Sequence, residues 1–129
     1  MKMLRHAMDH ADIEKVLELL ETESFLDERR YARAFANDKV RFSGWGKFKI
    51  CEALKAKRLP LPLIEKALEE VGEEDYLEAL RKTARSAAKS LDLSLRENRV
   101  KLYRHLLSRG FESDIAAEAV REVAREEEG

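Results

Sequence analysis

The stretch KICEALKAKRLPLPLIEKALEEV (residues 49–71) aligns without a gap on KLYRHLLSRGFESDIAAEAVREV (residues 101–123), at an offset of 52 residues. Ile50, Leu54, Leu59 and Val71 then fall on Leu102, Leu106, Phe111 and Val123. A second, shorter match places Ile64, Leu68 and Val71 on Ile13, Leu17 and Leu20 at an offset of 51. Periods near this length belong to helical repeats, in which one unit cannot bury its apolar face alone and stacks on its neighbour to complete a core. The expected fold is therefore all-α: tandem three-helix, helix-turn-helix-like units stacked into an elongated, curved array, with the first repeat incomplete. The expected boundaries are 1–24 for the partial first repeat, 25–73 for the second and 74–129 for the third.

Outward from the repeat, apolar residues recur at helical spacing along nearly the whole chain. Ile13, Val16, Leu17 and Leu20 form one stripe, and Tyr31, Phe35 and Val40 another. Ile50, Ala53 and Leu54 follow, with Phe48 ahead of them. Then come Ile64, Ala67, Leu68 and Val71; Leu77, Leu80, Ala84, Ala87 and Leu91; Val100, Tyr103, Leu106 and Leu107; and Ala116, Ala119, Val120 and Val123. Tyr31, Phe35, Ile50, Leu54, Leu68, Leu106 and Phe111 are expected to be structural. Asp27 and Ser113 read as N-caps, Ser94 with Glu97 as a capping box, and Pro62 as a first-turn proline. Gly72 and Gly110 stand where left-handed helix ends are expected, and Ser43–Gly46 reads as a turn.

The chain has 129 residues, 40% charged and 44% hydrophobic, with only five Gly and two Pro. That composition is too polar for a membrane protein and too apolar for a disordered one. No stretch approaches the ~20 apolar residues of a membrane span, and the beginning of the chain has no signal-peptide core. The single Cys51 excludes an internal disulfide and fits a reducing compartment. A cytoplasmic location and a monomer are expected. Net charge is −1, but it is sorted by segment. Residues 27–58 carry ten Lys/Arg against four acids, and 81–109 nine against two; residues 63–78 carry one Lys against seven acids, and 112–129 two Arg against seven. The first two helices of each unit are thus basic and the third acidic. Either the helices neutralise one another across the surface, each exposed pair contributing ~0–1 kcal/mol, or a basic strip faces a polyanionic or acidic partner.

No catalytic constellation is found. His6 and His10, a helical turn apart, provide two of the three or four ligands that zinc requires, and only Asp9, Cys51 and His105 are left to add. Cys51 sits beside Ile50 and Leu54 and reads as a packed thiol. Glu69–Glu70 and Glu73–Asp75 read as solvated helix ends. Gly44 and Gly46 lack the Lys-Ser/Thr ending of a phosphate loop. The reading is of a binding protein with no enzyme activity, cofactor or metal. Arg41, Trp45, Lys47, Phe48 and Lys49 interleave cations with aromatics, as single-strand binders do, although Phe48 also suits a core. The segment 62–71, placed as a recognition helix would be, is acidic and would repel phosphates.

The stretch 25–71 resembles the middle repeat of RecX regulatory proteins in its Phe25–Tyr31 start, its Arg41–Gly44–Gly46–Lys47–Lys49–Ile50 turn, Leu54, and the IEKAL run at 64–68. The stretch 100–120 resembles the third repeat of that family, with its Arg109–Gly110–Phe111 mark. One departure is Arg58, where the family has glycine: a left-handed helix exit there costs a non-glycine residue ~1 kcal/mol or more. The resemblance implies a modulator of recombination that lies in the groove of the RecA filament on single-stranded DNA and inhibits ATP hydrolysis and strand exchange. The contact residues expected on that basis are Arg29, Arg30, Arg33, Lys39, Arg41, Lys47, Lys49, Lys55 and Lys57 in the second unit, and Arg96, Arg99, Lys101, Arg104 and Arg109 in the third. The alternatives are a sequence-indifferent module for single- or double-stranded DNA, and an adaptor for another acidic protein.

Overall fold

The computed structural model describes residues 10–128, all of whose regular structure is helical: α1 (His10–Ser43), α2 (Lys47–Ala56), α3 (Leu61–Glu69), α4 (Glu73–Ala88), α5 (Arg96–Ser108) and α6 (Ser113–Glu128). The C-terminal half of α1 packs with α2 and α3 as one three-helix unit, and α4, α5 and α6 pack as a second. The offset of 52 read from the sequence relates the two units residue by residue. Ile50 and Leu102 are fully buried, as are Leu54 with Leu106 and Ile64 with Ala116. Ala32 and Ala36 of α1 correspond to Ala84 and Ala88 of α4, all four in the core. Alanines on these faces let the first helix of each unit approach its partners closely, while Val40 on α1 and Tyr76 and Leu80 on α4 add larger buried side chains to the same core.

The same offset governs the chain reversals. At the end of α5 the Gly110 N–H donates to Leu107 O at 2.9 Å and the Phe111 N–H to Leu106 O at 3.2 Å, with Gly110 at φ +97°. At the end of α2 the Arg58 N–H donates to Lys55 O at 2.9 Å and the Leu59 N–H to Leu54 O at 3.4 Å, with Arg58 at φ +61°. Both are helix ends closed through a left-handed residue, which satisfies carbonyls that the helix leaves unpaired. Arginine takes the glycine position without changing the geometry and carries the backbone cost of doing so. Arg58→Gly should therefore stabilise the chain by about 1 kcal/mol, raising the urea midpoint at unchanged slope; an unchanged or lower midpoint would show that the Arg58 side chain compensates.

Several local expectations are corrected. Asp27 caps nothing: α1 runs unbroken through it, because residues 10–43 contain neither glycine nor proline and Asp27 is an exposed mid-helix residue. The stripe Val16, Leu17 and Leu20 is exposed. A helix of 34 residues is about 51 Å long, and the short α2 and α3 cover only its C-terminal part. Residues 10–24 are the first turns of this helix, and residues before 10 lie outside those described. Tyr31 is 45% exposed and Phe48 63%, so neither is a core residue. Ser94 bonds the Asp92 carboxylate through its N–H and hydroxyl, and the cap of α5 is Leu95. Ser113 is the first residue of α6 rather than its cap. Gly72, at φ −61° and ψ 132°, caps the start of α4 in an extended conformation. Pro62 lies in the first turn of α3, where its missing N–H is harmless.

Candidate partner-binding surface

The two units are joined where the α1–α2 turn meets the α5–α6 turn. The Gly46 N–H donates to Arg109 O at 2.8 Å and the Phe48 N–H to Gly110 O at 3.0 Å. A Cβ on Gly46 would lie 2.2 Å from the Gly110 carbonyl carbon and the Phe111 nitrogen, and one on Gly110 would lie 2.5 Å from the Lys49 nitrogen. Backbone thus packs directly on backbone. Beside this contact the Lys47 N–H donates to the Tyr76 hydroxyl at 2.9 Å, which in turn donates to the Glu112 carboxylate. Burial, and then the Glu112 bond, push the Tyr76 hydroxyl far above its usual range, so it keeps its proton. Tyr76 packs on Phe111 with ring centroids 5.5 Å apart. The glycines of this joint are legible as turn residues in the sequence; Tyr76 is not, since one tyrosine in an acidic helix start carries no pattern.

The joint fixes how the cations are presented. Arg29 and Arg33 of α1 reach Glu70, the residue that ends α3, each at 3.4 Å. Their repeat equivalents Arg81 and Arg85 of α4 reach Glu122 at 3.7 Å and Glu126 at 2.9 Å. Arg41 meets Asp75 at 3.5 Å. The first helix of each unit therefore spends arginines on the acidic third helix, which is the neutralising arrangement considered from sequence. The second helices behave differently. Among the described residues only Lys55 of α2 pairs with an acid, Glu52 at 3.6 Å within its own helix.

On the α1–α2 side the rings of Tyr31, Phe35 and Trp45 form a row, with successive centroids 6.0 and 6.3 Å apart. Lys57 Nζ stands 5.8 and 5.6 Å from the Tyr31 and Phe35 centroids; Lys39 stands 5.5 and 4.7 Å from Phe35 and Trp45; Lys49 stands 4.7 Å from the same Trp45. Lysines over ring faces are attracted to the negative face of the π system, by ~0.5–1 kcal/mol at exposed sites, and keep their ammonium groups available to a partner. Lys47, over Tyr76 at 4.9 Å, lies at the joint instead.

On α5, Arg96, Lys101 and Arg104 border one shallow depression with Glu97 and Val100. Arg99 is turned inward, donating to Leu93 O at 2.8 Å and Ser94 O at 3.1 Å, and so braces the turn before α5. Ser94 holds the Asp92 carboxyl of that turn below the usual carboxylate range. Arg109 lies in a groove between the units with Arg41. Arg30 is exposed on α1, and makes no ion pair among the described residues. Eleven of the fourteen cations named from sequence thus divide into a lysine–aromatic row, an α5 cluster, an inter-unit groove, and arginines committed to internal bonds; Lys47 sits at the joint, Lys55 pairs within its own helix, and Arg30 stands exposed on α1.

Among the described residues no group of His, Cys, Asp and Glu is arranged to hold a metal. His6 and the His10 side chain lie outside what is described. Cys51 is half-buried against the core. No described helix is long and apolar enough to cross a membrane.

The geometry defines a class first: a tandem array of three-helix units, tied into one piece by backbone contacts and exposing lysine and arginine from its second helices. Comparison with known proteins agrees and narrows it. Residues 27–68 match the family model of the RecX second three-helix domain, and residues 73–120 that of the RecX third three-helix domain. The regulatory protein RecX of Prosthecochloris aestuarii is 30% identical over 95% of this chain and 79% of its own length. That of Thermus thermophilus is 34% identical over 92% of this chain and 75% of its own length. No solved structure matches. The chain belongs to the RecX family of regulatory proteins.

Proposed function

We propose that this chain binds the RecA recombinase filament on single-stranded DNA and inhibits its ATP hydrolysis and strand exchange, damping recombination and repair in the cytoplasm. Membership of the RecX family supports the regulatory part of this reading. The observation that supports the mechanism is the backbone-to-backbone joint at Gly46 and Gly110, which ties the basic helices of the two units into one clamp. A clamp that touches adjacent protomers stabilises one relative orientation of them, by as much as its affinity differs between the two states of the filament. Hydrolysis, which needs that orientation to change, is opposed by the same amount. The lysine–aromatic row and the α5 cluster are the contact surfaces in this account; Arg29, Arg33 and Arg99 serve the fold.

Titrating the chain into RecA hydrolysing ATP on single-stranded DNA should reduce the rate at well below one copy per protomer. Full activity at excess chain would overturn the reading. A sequence-indifferent DNA-binding module would instead act by covering DNA, so that inhibition would track DNA occupancy and disappear with salt.

A further inference from the structure

The C-terminal turn of α1, the middle of α4 and the C-terminal end of α5 enclose an open groove of about 490 Å³ between the two units. Its lining is one-sided in charge. Arg41, Lys82, Arg109 and His105 contribute nitrogen groups, and Ser43, Ser86 and Ser90 contribute hydroxyls, while no Asp or Glu lines it among the described residues. The groove is held open by the fold: Gly44, at φ +63°, sits so close to α4 that a Cβ there would come 2.5 Å from the Thr83 hydroxyl, and that hydroxyl is fixed on Ala79 O at 2.8 Å.

Arg109 is the second observation. Its Nε is buried and has no hydrogen-bond partner, although a buried donor left unpaired costs roughly 1–3 kcal/mol. Lys82 makes no ion pair among the described residues, in contrast to Arg81 and Arg85 on the same helix. Arg41 meets only Asp75, at 3.5 Å with both side chains more than half exposed. Among the described residues the Arg109 Nε and Lys82 are thus left without an acceptor, and Arg41 holds its own only loosely at the surface. At the lip stands Phe42, 81% exposed and the most exposed large hydrophobic residue described, on the last turn of a helix whose other face is core. Cations and hydroxyls around an unsatisfied guanidinium suit a phosphate, and a solvent-facing aromatic ring beside them suits a base. A carboxylate-rich peptide would satisfy the cations and leave Phe42 in water.

We infer that this groove is a binding site for single-stranded nucleic acid, seating a phosphodiester on Arg109, Arg41 and Lys82 with a base against Phe42. The site adds a nucleic-acid contact to the regulator reading, and it is tested without RecA, so that failure here leaves that reading standing. The experiment follows the anisotropy of a fluorescein-labelled oligothymidylate titrated with the full chain across a salt series. Lys82→Glu should weaken binding at least tenfold and flatten the dependence of log affinity on log salt by about 0.7 for each phosphate no longer neutralised. Phe42→Ala should weaken it about tenfold at an unchanged salt slope, since stacking releases no counterions. Both residues are exposed, and circular dichroism checks that the variants stay folded. Lys66→Glu on α3, exposed and outside the groove, makes the same change in charge and should leave binding as it is. Equal losses for Lys82→Glu and Lys66→Glu would overturn the site, as would an inert Phe42→Ala. Tighter binding of a labelled oligoglutamate, abolished in the same variants, would assign the groove to an acidic peptide and overturn it too.

Discussion

Gly46→Ala lowers the unfolding free energy by about 3 kcal/mol or more, the largest effect expected of any single methyl group in this chain. The added Cβ would lie 2.2 Å from the Gly110 carbonyl carbon and the Phe111 nitrogen and 2.3 Å from the Gly110 oxygen, inside the Gly110–Phe111 peptide group. No rotamer change relieves that overlap, so the turns must part. Parting them breaks the Gly46–Arg109 and Phe48–Gly110 hydrogen bonds, each contributing roughly 1 kcal/mol net. It also lifts cover from Phe111, which is 1% exposed. The backbone angle is not the cause, since Gly46 has φ −84°, a value alanine adopts readily. Gly72→Ala is the matching control, because its Cβ would meet only the Asp75 side chain at 3.5 Å. Urea unfolding followed by Trp45 fluorescence should place the Gly46→Ala midpoint far below wild type and that of Gly72→Ala close to it. A Gly46→Ala midpoint at the wild-type value would mean that the units are not joined through these turns.

Reversing Lys39 and Lys49 together to Glu should weaken inhibition of RecA at least tenfold, about 1.4 kcal/mol or more in binding free energy. The two lysines stand over the same Trp45 ring, each 4.7 Å from its centroid, so their replacement turns the middle of the row from doubly positive to doubly negative. An acidic partner surface then meets repulsion where it met attraction, and like charges brought together at an interface cost several kcal/mol. The fold should lose less, because the lysines contribute only ~0.5–1 kcal/mol each through the rings. Trp45 and Phe35 are packed against the core on their inner sides in any case. A double variant that is folded by circular dichroism and inhibits as well as wild type would remove the row from the contact surface.

The repeat was legible because burial follows it so closely. Pairs such as Ile50 with Leu102 and Leu54 with Leu106 are equally buried in the two units, and large aliphatic residues at a fixed offset are a strong signal. The left-handed exit at Arg58 was legible only through the family resemblance, which has glycine there; the structure adds that Gly110 takes the same conformation at the equivalent position of the other unit. Alanine carried less information: Ala32 and Ala36 are as buried as any leucine, yet alanine is common on every helix face. Caps failed for a related reason. Asp27, Ser94 and Ser113 have side chains suited to capping, but whether a helix begins there depends on what precedes it, and α1 simply continues through Asp27.

The charged surface was legible as a segment property and not as a set of residues. Counting Lys and Arg correctly located the basic helices, but Arg29 and Arg33 find Glu70 some forty positions along the chain, and no local pattern announces that pairing. Lys82, His105 and Phe42 were missed because they come from three different helices and meet only at the joint.

The most direct measurement is co-sedimentation of the chain with preassembled RecA filaments on single-stranded DNA. The account predicts that the chain enters the pellet and saturates below one copy per RecA protomer, well beyond what the same DNA retains without RecA. A pellet holding no more chain than that DNA control would contradict it.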